Sequence, residues 1–203
     1  MSKRPVQVRS QRRVELILEA AADEIVRSGA GGFSMNAVAK RTKISPGSLY
    51  QFFPSREDLI ASLYERYIEG LQSLASKAAS CIANQDSLTA SQVVGAFLRP
   101  CLIFYQSNPA YVELHHAVNR PYAPNLREAK LDSEILAVLS DAFRRLAPNP
   151  DAPLHLLATL TLETAHAILS LCALKSAKEA KLLCDEAEVM LATYIDARLR
   201  VRQ

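Results

Sequence analysis

The 203-residue chain is 49% hydrophobic and 22% charged, enough apolar material for a packed core, so disorder is not the default. Aromatics make up only 6%, Trp is absent and Gly numbers 6, a shortage of β-favouring and turn-forming residues that points to an all-α fold. The net charge of +3 is uneven. Ten Lys or Arg stand against four acids through Arg56, and fourteen against seventeen thereafter, so only the first part of the chain suits a polyanion.

The first predicted helix covers residues 11–28, with Val14, Ile17, Leu18, Ala21 and Ile25 on one stripe, and ends at Gly29, Gly31 and Gly32. Ser34 caps a short helix over 35–41, and Ser45 caps another that opens with Pro46 and stops at Pro54. Ser55-Arg56-Glu57-Asp58 opens a long helix to about Cys81. Residues 91–105 are apolar on most faces and interrupted by Pro100, which predicts a buried, kinked helix. A short helix follows from Asn108-Pro109 to about His116, then a loop over 120–124 and a helix capped at Asn125 that carries Ile135, Leu139, Ala142 and Leu146. After the Pro-marked break at 147–153, the last two helices cover 154–174 and 177–200, the second opened by a capping box at Ser176 and Glu179.

No run of about 18 uninterrupted apolar residues occurs, and the basic stretch 1–13 lacks a following apolar segment. The expectation is a cytoplasmic protein with no membrane partner. Cys81, Cys101, Cys172 and Cys184 share no C-x-x-C spacing and read as reduced, buried, small hydrophobes.

The informative stretch is Ser34 to Phe53. Two short helices joined by a three- to four-residue turn fit a helix-turn-helix, with Val38, Ile44, Leu49 and Phe53 under the crossing. Ser48 and Gln51 suit base edges, while Ser45, Tyr50 and free backbone N–H groups suit phosphates. An ordinary pair of capped surface helices gives the same pattern, so spacing alone leaves DNA binding open.

Residues 12–67 resemble the DNA-binding domain of the TetR family of transcriptional regulators. The resemblance rests on the R-x₄-IL-x-AA opening, the S-M-x-A-V-A helix, the IS-x-GSLY-x-x-FPSREDL core and the long helix that trails it. It implies an N-terminal three-helix DNA-binding domain over 10–70 and a larger helical effector-binding and dimerisation domain over 71–203. It further implies operator contacts from Ser34, Lys43, Ser45, Pro46, Gly47, Ser48, Tyr50, Gln51 and Phe52, with Arg56 at the position of a phosphate-contacting Lys. Two residues depart from the family pattern. Lys43 replaces a common turn glycine, at a cost of about 1–2 kcal/mol if left-handed, and Phe52 stands where relatives carry His or Tyr.

The resemblance also implies a homodimer that pairs its last two helices. Leu157, Glu163, His166, Leu183, Met190 and Tyr194 are the candidate interface residues; a plain core stripe explains part of the same pattern. A small, largely apolar effector is expected in the C-terminal domain, with Phe97, Cys101, Phe104, Tyr105, Tyr111, His115, His116 and Tyr122 as candidate lining. Enzymatic chemistry would need His115 or His116 beside Cys101 or Glu113, yet no phosphate loop, nucleophile elbow or metal-spaced acid cluster is present. A metal sensor could draw on His115, His116, His155, His166 and the cysteines, but adjacent helical histidines point about 100° apart. No cofactor is expected. The reading is a DNA-binding regulator, a repressor by family base rate, released from an inverted-repeat operator by its effector.

Overall fold

The computed structural model describes residues 4–118, 126–147 and 152–200. Among these, every regular element is helical: α1 (Arg4–Gly32), α2 (Met35–Thr42), α3 (Pro46–Phe52), α4 (Arg56–Ala83), α5 (Ala90–Ser107), α6 (Pro109–Val118), α7 (Leu126–Leu146), α8 (Leu154–Cys172) and α9 (Ala177–Arg200). The loop at 120–124, the cap at Asn125 and the heart of the break at 148–151 lie outside the described residues.

Two compact units divide the chain. The first holds the residues through Tyr67 together with α6, and the second holds α4 from Ile68, α5 and α7 to α9. Helix α6 thus returns to the first unit after α5. The reason is in the side chains: Tyr111 of α6 is buried, stacked on Tyr64 at 5.9 Å and edge-on to Tyr67 at 5.7 Å. Helix α6 also packs along α1.

Local chemistry sets the helix ends. Ser34 and Ser45 accept hydrogen bonds from the N–H groups of Ala37 and Ser48, each at 3.2 Å, and so cap α2 and α3. Helix α1 starts earlier than its apolar stripe suggests. Gly29 leaves helical geometry at φ 73°, ψ 161°, so the first helical run breaks at the glycine where the sequence places its end, and a short second stretch continues to Gly32. A complete capping box at Thr89 and Gln92 opens α5, and a second at Ser176 and Glu179 opens α9. Helix α5 is continuous through Pro100.

In the second unit, α5 packs chiefly on α9 and α8, and α7 packs on α8. Two glycines set close approaches. A Cβ on Gly70 would lie 2.9 Å from the Phe104 ring, and one on Gly95 would lie 3.0 Å from the Glu188 carboxylate. Helix α8 is long and apolar enough to cross a membrane by length and composition, yet it packs between α7 and α9. Of the four cysteines, Cys172 and Cys184 are buried, Cys101 is half-buried and Cys81 is exposed, so the reading of all four as buried fails at Cys81.

Candidate nucleic-acid interface

The α2–α3 segment is built on an apolar floor and an exposed polar face. Val38, Ala39, Leu49 and Phe53 are buried beneath the crossing, joined by Ile17, Leu18, Ala21 and Ile25 of α1. This leaves Ser34, Lys40, Lys43, Ser45, Pro46, Gly47, Tyr50 and Gln51 exposed, with Ser48 and Phe52 half-buried. A seven-residue helix presents Tyr50 and Gln51 outward while Leu49 anchors it from below. Nothing lies within 4 Å of a Cβ added to Gly47, so packing does not require glycine there.

The turn between the two helices is a Schellman motif. Ile44 donates to the Ala39 carbonyl at 3.1 Å and Lys43 to the Lys40 carbonyl at 3.4 Å, with Lys43 left-handed at φ 56°, ψ 29°. The sequence expectation of strain at this position therefore acquires its geometry.

The charges near this face are not equivalent. Arg41 is held 2.5 Å from Asp23 of α1. Arg56 does not project freely from the start of α4. Its Nε donates to the Phe33 carbonyl at 3.2 Å, its Nη2 donates to the Ala30 carbonyl, and its guanidinium stacks over the Phe33 ring at 4.9 Å. Arg56 thus clamps the α1–α2 connection, with two of its five N–H donors given to main-chain carbonyls at the end of α1. Lys40 and Lys43 take part in none of the described ion pairs.

The described candidate effector residues fall in both units. Phe97, Cys101 and Phe104 are half-buried on α5 in the second unit, where Tyr105 is fully buried. Burial pushes the Cys101 thiol up to about 11, which favours its neutral form. Tyr111 and His115 belong to the first unit, where the Tyr64 hydroxyl and His115 Nδ1 are 3.4 Å apart. Tyr111 is a core residue there, buried against Tyr64 and Tyr67. Tyr122 and the side chain of His116 lie outside the described residues. Among the described residues no group of three or more His, Cys, Asp or Glu is placed to hold a metal ion.

Of the interface candidates, Leu157 is 1% exposed and belongs to the protomer core, so it is withdrawn. Glu163, Met190 and Tyr194 are exposed, while His166 and Leu183 are half-buried. The larger feature is on α8, which is apolar on nearly every face in sequence, and on α9. Leu156, Leu160 and Leu171 on α8, Leu174 in the turn that follows it, and Leu182 and Val189 on α9 are all exposed.

The sequence model for bacterial regulatory proteins of the tetR family matches residues 17–63, and that for a tetracyclin repressor-like C-terminal domain matches residues 89–195. Among solved structures, a transcriptional regulator from Pseudomonas aeruginosa PAO1 is similar at a TM-score of 0.68 and 18% identity, over 94% of this chain and 95% of that one. The regulator FadR from Bacillus subtilis, in complex with stearoyl-CoA, is similar at 0.67 and 15%, over 88% and 97%. AibR, in complex with isovaleryl coenzyme A and operator DNA, is similar at 0.62 and 16%, over 89% and 98%.

Proposed function

Because the chain belongs to the tetR family of bacterial regulatory proteins, and is thereby a DNA-binding transcriptional regulator, we propose that it binds an inverted-repeat operator as a homodimer through α3 and leaves it on binding a small organic effector. The observation that carries the DNA side is the capped α2–α3 pair. It buries Leu49 and Phe53 and turns Tyr50 and Gln51 outward beside the unpaired cations Lys40 and Lys43. Gln51 and Ser48 reach base edges in this reading. Ser34, Lys43, Ser45, Tyr50 and the open backbone at Gly47 meet phosphates, which position the protein without reading sequence.

Dimerisation is supported by the outward apolar stripe on α8 and α9. A helix that buries Leu157, Leu162 and Leu169 on one side and exposes Leu156, Leu160 and Leu171 on another has one apolar face too many for a monomer. Two copies related by a two-fold axis cover that face reciprocally. They would present their recognition helices about 34–36 Å apart, one turn of DNA.

The effector reading rests on the half-buried apolar residues Phe97, Cys101 and Phe104 on α5. Two of the similar structures hold acyl-coenzyme A molecules, so an acyl thioester is the first effector class to test here. A ligand moves the operator equilibrium only by its preference for the DNA-incompatible form, and a coupling of about 1–3 kcal/mol releases binding about 5–150-fold.

Footprinting across DNA flanking the protein's own gene, with and without acyl-CoA, tests the proposal. A protected inverted repeat that is lost on ligand addition is the expected result. Sedimentation as a monomer at micromolar concentration, or no protected site, overturns it.

A further inference from the structure

Gly70 stands in the middle of α4, where alanine would favour the helix more. Its backbone makes no demand for glycine, since Gly29 is the one glycine with positive φ among the described residues. The demand is for space. A Cβ on Gly70 would lie 2.9 Å from one carbon of the Phe104 ring and 3.7 and 3.9 Å from two others. The notch left by the absent side chain therefore seats the ring against the α4 backbone.

Gly95 of α5 makes room for the Glu188 carboxylate in the same way, but the two contacts lie in different places. Gly95 and Glu188 are buried, whereas Gly70 and Phe104 are both half-buried. Phe104 thus stands at the margin of the core, with the α4 backbone behind its ring. It is also the last member of a half-buried face of α5. Phe97, Cys101 and Phe104 recur at i, i+4 and i+7 and span about 10 Å along the helix.

We propose that Gly70 is a size-determining residue of the effector site: by seating Phe104 in α4, it sets how long an acyl chain the α5 face accepts, with the ring as end wall. The inference rests on the acyl-thioester effector reading and adds to it a residue on a second helix. A methyl group on residue 70 drives the ring away from α4 and into the space that a chain would fill. The atom it meets is the far end of a flexible side chain, so the ring can give way without a shift of either backbone.

Calorimetric titration of the full-length protein with straight-chain acyl-CoAs, from butyryl to palmitoyl, tests the assignment. The proteins compared are wild type, Gly70→Ala, Phe104→Ala and the double variant, each checked for folding by thermal denaturation. Gly70→Ala should move the best-bound chain to a shorter one. The longest chain that the wild type accepts should bind it about 10–200-fold more weakly for each methylene that no longer fits. Phe104→Ala should move the preference to longer chains. Adding Gly70→Ala to Phe104→Ala should change nothing further, because the methyl group then meets no ring.

A uniform loss of affinity for every chain length in Gly70→Ala overturns the inference, since a purely structural contact acts in that way. So does an unchanged preference in Phe104→Ala, or a shift from Gly70→Ala that persists without the ring. Each of these leaves the effector reading standing. A wild-type protein that binds no acyl-CoA overturns the inference together with acyl thioesters as the effector class.

Discussion

Arg56 and Phe33 form a two-point contact, with the guanidinium 4.9 Å from the ring centroid and Nε donating 3.2 Å to the same residue's carbonyl. The arginine thereby ties the start of α4 to the residue that precedes the Ser34 cap. Its function in this geometry is to hold the N-terminal end of α2 in place. Arg56→Ala is expected to lower the stability of the protein by about 1–3 kcal/mol, through a lost cation–π contact and two carbonyls left without a donor. Arg56→Lys should recover only part of it, because a single ammonium cannot serve both carbonyls and the ring. Thermal denaturation of the two variants distinguishes this clamp from a simple phosphate contact, which would leave the melting temperature unchanged.

Base reading is expected to centre on α3. Gln51→Ala and Ser48→Ala should change which operator bases are preferred, at about 1–3 kcal/mol per lost base contact. Tyr50→Phe should weaken specific and random duplexes alike. Gly47→Ala provides a separate check. Its added methyl group meets open space in the free protein and replaces glycine inside a helix, so stability should rise by up to about 1 kcal/mol. Operator affinity should fall if the DNA backbone approaches that point. Selection from a randomised duplex pool, read by sequencing, separates the two groups of variants.

Ser34, Ser45, Pro46 and the Ser176–Glu179 box were legible in the sequence because capping is a local event, decided within four residues. The equally local box at Thr89 and Gln92 went unread, although its T-x-x-Q spacing is plain. What was not legible depends on partners far away in sequence. Arg56 finds its acceptors 23 and 26 residues earlier, and no local pattern announces that. Tyr111 looks like pocket lining until Tyr64 and Tyr67 are placed against it. On α8 the failure has another cause: with leucine on nearly every face, periodicity cannot say whether Leu157 or Leu156 turns inward. The exposed face emerges only once the packing of α7 and α9 is known.

That face yields the assembly prediction. Leu160→Glu with Val189→Glu places charges on two exposed positions. The variant is expected to keep its helical content and melt as a folded monomer. Its affinity for a two-site operator should collapse toward that of a single half-site, since burying unpaired charge in the bundle is strongly unfavourable. Analytical ultracentrifugation with circular dichroism checks it. A charged variant that remains a dimer would move the interface off α8 and α9.

Glu188 supplies a pH-dependent prediction in the second unit. Its carboxylate, buried at Gly95, accepts from Arg99 Nε and Nη2 at 2.7 and 2.8 Å and from the Ser91 hydroxyl at 2.7 Å, joining α9 to α5. The hydrogen bonds from Arg99 hold its carboxyl below the usual Glu range against the opposing effect of burial, with Ser91 contributing in the same direction. A carboxyl depressed in the folded state stabilises the fold above its unfolded value of about 4.3, and that contribution is lost as pH falls through the lower folded value. Arg99 is 67% exposed, so water screens the pair and its worth is about 1–2 kcal/mol, less than a fully buried pair. Arg99→Gln is therefore expected to cost about that much in urea denaturation at pH 7, with the difference from wild type shrinking as the pH falls below about 4. Glu188→Gln, which keeps the volume and the Ser91 contact, should flatten the acid limb of the stability curve in the same window. Equal Arg99→Gln deficits at both pH values would show that the arginine acts through the packing of its stem and not through the carboxylate.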